Sequence, residues 1–288
     1  MTTIGFIGLG IMGGPMAANL VSAGFDVIGH NRSPAKTERL VEAGGRAASS
    51  VAEAVSGADV VATMLPDSPD VRGVLTEVFA HAAPGTLVID FSTIRPDVAS
   101  ALAAEGTEQG FRVLDAPVSG GEQGAIDGAL SIMVGGEAAD FAAASEVLAA
   151  VGTTIVHVGP SGAGQTVKAA NQLIVAGTLE LVAEAIVFLE AHGVDTTAAL
   201  EVLGGGLAGS TVLARKGEKM LARDFTPGFR VELHDKDMGI VTSAAREAGV
   251  VIPLGAAVAQ LIASLRAQGD GGLDHSALLR LVTRLSGR

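Results

Sequence analysis

The sequence contains no cysteine. That excludes a disulfide framework, a thiol nucleophile and a sulfur-ligated metal, and it suits a reducing, cytoplasmic setting. Redox chemistry on such a chain needs a borrowed cofactor. Charge is also scarce, since Asp, Glu, Lys and Arg make up 17% of the 288 residues against 48% hydrophobic, a balance that argues against disorder. No Lys/Arg-rich run interrupts a net charge of −12, which repels phosphate backbones, so nucleic acid is not an expected partner. The six histidines are scattered from His30 to His275. They offer no clustered ligand set, and no metal is expected.

What is abundant is apolar chain and glycine. A length of 288 residues favours two domains with a large core, and 39 Gly with 10 Pro require many turns. Two segments could pass for membrane or export signals. The run from Ile4 to Leu20 has no preceding Lys or Arg, and Gly8, Gly10, Gly13, Gly14 and Pro15 interrupt it, so it is not read as a signal peptide. Leu173 to Leu189 is long enough to span a bilayer, but Glu180 and Glu184 lie inside it and Glu190 follows. It reads as a buried helix of a soluble protein, and no membrane partner is expected.

Up to about residue 160 the periodicity alternates. Strands are expected at Thr3 to Ile7, Val27 to Gly29, Asp59 to Met64, Thr86 to Asp90, Arg112 to Ala116 and Ser131 to Gly135. Helices are expected between them at 11–23, 34–43, 51–56, 71–82 and 96–110. Such alternation implies right-handed crossovers and a mainly parallel sheet. After the glycine-rich stretch 159–164 only helical periodicity remains, at 165–192, 196–204, 210–220, 233–248, 253–268 and 275–285. The expected fold is therefore α/β: a doubly wound sheet over residues 1–163, then an all-α domain over 164–288.

Gly8-Leu9-Gly10-Ile11-Met12-Gly13 fits G-x-G-x-x-G after a buried strand and at the mouth of a helix. The first glycine makes the tight turn, the second lets backbone approach a pyrophosphate, and the third lets helix and strand pack. The helix start would then face the phosphates with unpaired N–H groups. The plain alternative is a structural turn in a glycine-rich chain, but the strand–turn–helix context favours a dinucleotide-binding, Rossmann-type domain. Enzymes that use NAD usually place Asp or Glu at the end of the second strand, about 20 residues on. Here that strand ends in His30-Asn31-Arg32-Ser33. With no carboxylate, and with Arg32 able to pair with a 2′-phosphate, NADP(H) is favoured and NAD(H) is the alternative.

Asp115-Ala-Pro-Val-Ser-Gly-Gly121 follows a strand and is turn-forming. Ser119 can offer a hydroxyl, and Gly120 and Gly121 backbone N–H groups, to a small carboxylate; otherwise it is an ordinary loop. Lys168 falls in the first turns of the long helix opening the second domain, where the positive end of the helix dipole disfavours a cation. Burial in a cleft there would lower its pKa and make it a better proton donor at neutral pH. Asn171, three residues on, shares its helix face and can orient the lysine or a substrate oxygen. The plain alternative is an exposed lysine with a surface asparagine.

Four stretches, 5–20, 115–121, Gly162-Ala-Gly-Gln-Thr-Val-Lys-Ala-Ala-Asn171 and Lys236-Asp-Met238, together resemble the β-hydroxyacid dehydrogenase family, in the family's order and over essentially the whole chain. The resemblance is greatest to its tartronate semialdehyde reductase (2-hydroxy-3-oxopropionate reductase) branch, through 120–128, 205–213, 225–230 and 274–278. It implies Lys168 as the catalytic lysine, Ser119, Gly120 and Gly121 as the substrate-carboxylate loop, and Asn171 as a substrate-side asparagine. It further implies that Met64, Leu65 and Pro66 form a cofactor-contacting turn and that Thr93 lies beside the nicotinamide. Lys236 would close on the cofactor, while Phe229 and Asp237 would line the cleft. Imine reductases share the scaffold but usually replace the lysine, so Lys168 argues against them.

The expected activity is reversible hydride transfer between a nicotinamide and a small 3-oxo or 3-hydroxy acid, reducing tartronate semialdehyde to glycerate, with Lys168 as general acid. Three alternatives stay open. One is a 3-hydroxyisobutyrate dehydrogenase or another small semialdehyde reductase. Another is a phosphorylated-sugar-acid dehydrogenase using Arg215, Lys216 and Lys219. The third is a non-catalytic NADP-binding sensor. His234 and His275 have no sequence-local partner and are read as packed or surface residues, and Glu180 with Glu184 as solvated or at a subunit contact. The apolar long helix implies a homodimer or homotetramer.

Overall fold

In the computed structural model, which describes residues Met1–Arg288, the chain forms two compact units, Met1–Lys168 and Ala169–Arg288. Sequence composition puts the division at the glycine-rich turn, 163/164. That point is the start of the helix Ala163–Ala191, whose first residues, to Lys168, belong to the first compact unit.

The first unit holds one nine-stranded sheet: β1 (Thr3–Ile7), β2 (Asp26–His30), β3 (Arg46–Ala47), β4 (Val60–Thr63), β5 (Leu87–Asp90), β6 (Arg112–Asp115), β7 (Val118–Ser119), β8 (Leu130–Gly135) and β9 (Gly152–Gly159). The order is β3-β2-β1-β4-β5-β6-β8-β7, with β9 on β8. All pairings from β3 to β6 are parallel, whereas β8 runs antiparallel to β6 and β7 and parallel to β9. Both faces are covered at the central parallel strands β1, β4, β5 and β6, which is why these are apolar apart from their ends. Ile4, Phe6, Ala62, Ile89 and Leu114 fill one core, while Ile7, Val61, Val88 and Val113 fill the other. That is the period-2 alternation of a sheet buried on both sides.

Several elements escape the sequence pattern. β3 is two exposed residues, too short to carry a period. The strand β9 is only partly buried and lies outside the alternation. Short helices at Gly121–Ile126, Ala138–Ala143 and Ser145–Ala149 span at most six residues, fewer than two turns of periodicity. The first helix begins at Gly13 rather than Ile11, since Ile11 and Met12 belong to the glycine turn.

The second unit contains the rest of Ala163–Ala191 and the helices Thr196–Gly204, Thr211–Leu221, Val231–Glu247, Pro253–Leu265 and Leu278–Leu285. Asp195 and Ser210 cap two of these with side-chain oxygens, and Pro253 starts another. The expected helix 253–268 stops at Leu265, before a wider turn broken by Gly269 at φ 91°. Its core packs Ala176, Leu179, Ala183 and Ile186 of the long helix against Met238, Ile262 and Leu278. The expectation that the long helix is buried needs correction: of its most apolar window 44% is buried, and Ile174, Leu181 and Phe188 are exposed. It is long and apolar enough to cross a membrane by length and composition.

Candidate active site

The candidate residues of the first unit follow the carboxyl ends of the parallel strands. The glycine turn follows β1, Asn31–Ser33 follow β2, Met64–Pro66 follow β4, Thr93 lies shortly after β5, and Ser119, the last residue of β7, leads into Gly120 and Gly121 after β6. Ligands of open α/β sheets bind along this edge.

Sterics explain the three glycines. Gly8 has φ 99°, and a Cβ there would strike the carbonyl oxygen of Met64. A Cβ on Gly13 would fall on the Gly8 carbonyl oxygen, so only glycine lets the helix pack onto the turn. Gly10 differs, because a Cβ would meet no protein atom within 4 Å. Its lack of a side chain serves no internal packing and leaves a backbone cradle open. The helix Gly13–Ser22 behind it has no side-chain cap and no acidic residue in its first turn, so the positive end of its dipole is uncompensated. These features fit a dinucleotide pyrophosphate.

The Asn31 side chain faces inward at this turn. Its Oδ1 accepts from Leu9 N at 3.1 Å and its Nδ2 donates to Ser33 O at 3.1 Å, which leaves Asn31 bracing the turn. The Arg32 side chain is 84% exposed and lies 3.6 Å from Asp70. At the same edge, His30, Asn31, Arg32, Thr37, Ser49 and Glu53 contribute to a cavity of about 460 Å³. Ser49 donates from both N and Oγ to Glu53 Oε2, at 2.7 and 2.6 Å, and these bonds hold the Glu53 carboxyl below its ordinary range.

Lys168 is buried, at 7% exposure, and its Nζ donates to the Val118 carbonyl at 2.7 Å. Val118 opens the two-residue strand β7 that leads into Ser119, Gly120 and Gly121, so the ammonium is tied to the loop expected to hold a carboxylate. Gly120, at φ 143°, and Gly121, at φ 65°, turn the chain into the helix Gly121–Ile126. At the foot of the lysine helix, Asp115 accepts from Gly162 N at 2.7 Å and from Gln165 N at 3.0 Å. Burial pushes the Asp115 carboxyl up to about 6, against the pull of those two bonds. Gln165, one turn before Lys168, donates from Nε2 to Ser92 O at 2.8 Å and accepts from Ile94 N at 3.0 Å, which brackets Thr93.

In the second unit, Asn171 Nδ2 donates to Gln172 Oε1 at 2.8 Å, and Gln172 Nε2 donates to Asp237 Oδ2 at 2.6 Å. Lys236 Nζ lies 2.9 Å from Asp237 Oδ1, so Asn171, Gln172, Asp237 and Lys236 form one chain of polar contacts. The half-buried Phe229 ring packs edge-on to His234 and His275, with centroids 5.6 and 5.3 Å away. Those histidines meet through their Nδ1 atoms at 3.0 Å, which requires opposite tautomers when both are neutral. Burial keeps the His275 imidazole well below its ordinary pKa. Asp274 is fully buried; burial opposes its ionisation, but bonds from Lys216 Nζ, at 2.8 and 2.9 Å, help hold its carboxyl well below the usual range. The same carboxylate accepts from Gly228 N and Phe229 N at 2.9 and 3.1 Å, which shapes the turn carrying Phe229.

Comparison with known proteins agrees with this geometry. Residues 3–159 match a family model described as the NAD binding domain of 6-phosphogluconate dehydrogenase. Residues 162–282 match one described as NAD-binding of NADP-dependent 3-hydroxyisobutyrate dehydrogenase. The chain is 39% identical to the 2-hydroxy-3-oxopropionate reductase of Escherichia coli K12, over 96% of each chain. The chain belongs to the β-hydroxyacid dehydrogenase family. Another member, the NAD-dependent L-serine dehydrogenase of Pseudomonas aeruginosa, is 37% identical over the full length of both chains. A solved Mycobacterium tuberculosis 3-hydroxyisobutyrate dehydrogenase with L-serine superposes with a TM-score of 0.90 at 38% identity, covering 97% of this chain and 98% of that one. As a β-hydroxyacid dehydrogenase the chain is a nicotinamide-dependent oxidoreductase that acts on CH–OH groups.

Sequence reasoning singled out the glycine turn, the lysine and the 119–121 loop, because each announces itself locally. It missed Gln165 and Gln172, which lie inside the quoted 162–171 stretch or one residue beyond it but carry no chemical signature of their own. It also left His234 and His275 without partners, although they pair across 41 residues. Glu180 and Glu184 are not a solvated pair: Glu180 is buried, and burial with the Glu184 charge raises its carboxyl to about 7, while Glu184 is exposed. The phosphate cluster suggested by Arg215, Lys216 and Lys219 fails at Lys216, whose ammonium serves the buried Asp274.

Proposed function

We propose that this dehydrogenase reduces tartronate semialdehyde (2-hydroxy-3-oxopropanoate) to glycerate, with NADPH preferred over NADH. The observation that carries the reading is the buried Lys168 ammonium fixed at 2.7 Å to the Val118 carbonyl, beside the Ser119–Gly121 loop. Bound nicotinamide supplies the hydride. Gly8 to Gly13 hold its pyrophosphate on open backbone, and Met64, Leu65, Pro66 and Thr93 are proposed to border its reactive end. The Ser119 hydroxyl and the Gly120 and Gly121 amides take the substrate carboxylate, which fixes which carbon faces the hydride donor. Lys168 donates a hydrogen bond and then a proton to the carbonyl oxygen as negative charge grows there. In the oxidative direction the neutral amine accepts that proton. Of the second unit's residues, Asn171, Phe229 and Asp237 are proposed to bear on the substrate and Lys236 on the cofactor.

The coenzyme preference rests on Asn31, an amide where NAD enzymes usually carry a carboxylate, and on the exposed Arg32 two positions after β2. A second substrate class is supported by the relatives named for L-serine and 3-hydroxyisobutyrate. Initial rates followed at the nicotinamide absorbance, with tartronate semialdehyde, 3-hydroxyisobutyrate and L-serine and with both coenzymes, separate these. Tartronate semialdehyde with NADPH is expected to give the highest kcat/KM, and a better serine or 3-hydroxyisobutyrate rate overturns the substrate assignment. Lys168→Met is expected to lose about 10²–10⁴ in kcat while binding NADPH normally. Undiminished turnover in that variant removes the lysine from the mechanism. Binding without turnover on any substrate would instead indicate a sensor.

A further inference from the structure

Gln165 is almost wholly buried, at 1% exposure, and both ends of its carboxamide are used. Nε2 donates to Ser92 O at 2.8 Å and Oε1 accepts from Ile94 N at 3.0 Å, so the side chain clamps the backbone on either side of Thr93. The clamped segment is itself anchored. Ser92 Oγ accepts from Leu65 N at 2.8 Å, Ser92 N donates to Asp90 Oδ1 at 3.0 Å, and the same Oδ1 accepts from Thr63 Oγ1 at 2.7 Å. A continuous buried network thus runs from the ends of β4 and β5 into the first turn of the lysine helix. That turn is pinned in its own right, because Gln165 N donates to Asp115 Oδ2 at 3.0 Å. Lys168 follows three residues later, on the same helix face.

Burial alone does not explain an amide here. A methionine of similar volume would fill the space but would leave the Ser92 carbonyl and the Ile94 N–H without the amide that serves both. What the amide adds is geometry, since one donor and one acceptor in a fixed plane define the offset between helix and loop, and fully satisfied buried networks are rigid. We propose that Gln165 is a positioning residue, which sets the Ser92–Ile94 segment, and with it Thr93, at a fixed spacing from Lys168, so that proton donor and nicotinamide-side threonine stay in register. The inference rests on the proposed role of Lys168. Misplacement by about 1 Å in such a site costs on the order of 10²-fold in rate.

The test compares Gln165→Met, which keeps volume and loses both bonds, with Gln165→Glu, which keeps the acceptor for Ile94 N but sets a carboxylate oxygen against the Ser92 carbonyl. The first readout uses the protein without coenzyme or substrate: amide hydrogen exchange at Ile94 is expected to accelerate at least about tenfold in Q165M while the β4 amides keep their protection. The second is steady-state kinetics, where kcat is expected to fall about 30- to 100-fold, with KM and the NADPH Kd within about threefold of wild type. The third repeats Q165M in the K168M background, where its cost is expected to shrink below about threefold because the group being positioned is gone. Equal costs in the two backgrounds overturn the inference and leave the lysine mechanism standing. Unchanged kcat with a lowered melting temperature also overturns it, since Gln165 would then be structural only. K168M turning over at the wild-type rate overturns the proposed function and this inference together. Where Q165M is too unstable to purify, Q165E, which loses the bond to Ser92 O but keeps the Ile94 N acceptor, carries the kinetic and double-variant readouts.

Discussion

Replacing Asp115 with asparagine separates two effects that the structure superimposes at the foot of the lysine helix. The carboxyl is 5% exposed and accepts from Gly162 N and Gln165 N, yet burial dominates and raises it from 3.8 to about 6, with a small contribution from Asp90. A carboxyl whose folded pKa lies above its unfolded value binds protons more tightly in the fold. Its contribution is therefore fully present below about pH 4 and is lost as pH rises through about 6. Two pKa units correspond to about 3 kcal/mol. The substituted asparagine does not titrate, and its one amide oxygen cannot serve both N–H groups as two carboxylate oxygens do, so the variant carries a pH-independent penalty of about 1–3 kcal/mol for the unserved donor. Urea unfolding of both proteins from pH 4 to pH 8 isolates these terms, because all other carboxylates cancel in the difference. The stability advantage of wild type over D115N is expected to shrink by about 3 kcal/mol across that range, most of it between pH 4 and 6. A difference that is flat with pH, or grows with it, would refute the claim that Asp115 is held against its own desolvation.

Glu180→Gln is expected to raise the melting temperature more at pH 8 than at pH 5, because the buried carboxyl, raised from 4.5 to about 7, stays protonated in the fold while the unfolded chain ionises, so its cost builds as pH rises through that window and is complete above about 7; a scanning calorimeter at the two pH values decides it. Gly10→Ala and Gly13→Ala should part company: the first meets no protein atom and keeps stability while weakening NADPH at least about tenfold by calorimetric titration, whereas the second strikes the Gly8 carbonyl and destabilises the fold itself. Equal stability for the two alanine variants would contradict that steric assignment. Lys216→Met leaves Asp274 buried and without its ammonium, and is expected to cost about 3–5 kcal/mol in urea unfolding. Adding Asp274→Asn should recover part of that loss, and no recovery would mean that Lys216 matters for packing rather than charge.

Features that depend on neighbours along the chain were legible before any coordinates. The glycine turn is one, because its requirements are steric and local: a positive φ at Gly8, an open side at Gly10 and a helix pressed onto a strand at Gly13, all within six residues. The central parallel strands β1, β4, β5 and β6 are another, because strands buried on both faces read as apolar runs between helices. Lys168 stands out as a cation at the wrong end of a helix dipole, and Asn31 as an amide where a carboxylate is customary.

Features that depend on partners far apart in sequence emerged with the packed fold. Gln165 meets Ser92 and Ile94 from 71 residues or more away, Lys216 finds Asp274 across 58, and His234 finds His275 across 41. A polar side chain carries no mark of whether its partner will be water or another side chain. That choice is made when burial removes the water, and burial is a property of the packed whole rather than of any window of residues. Glu180 shows the same limit within a single helix: it and Glu184 lie one turn apart with identical chemistry, and only packing makes one a buried acid near pH 7 and leaves the other exposed.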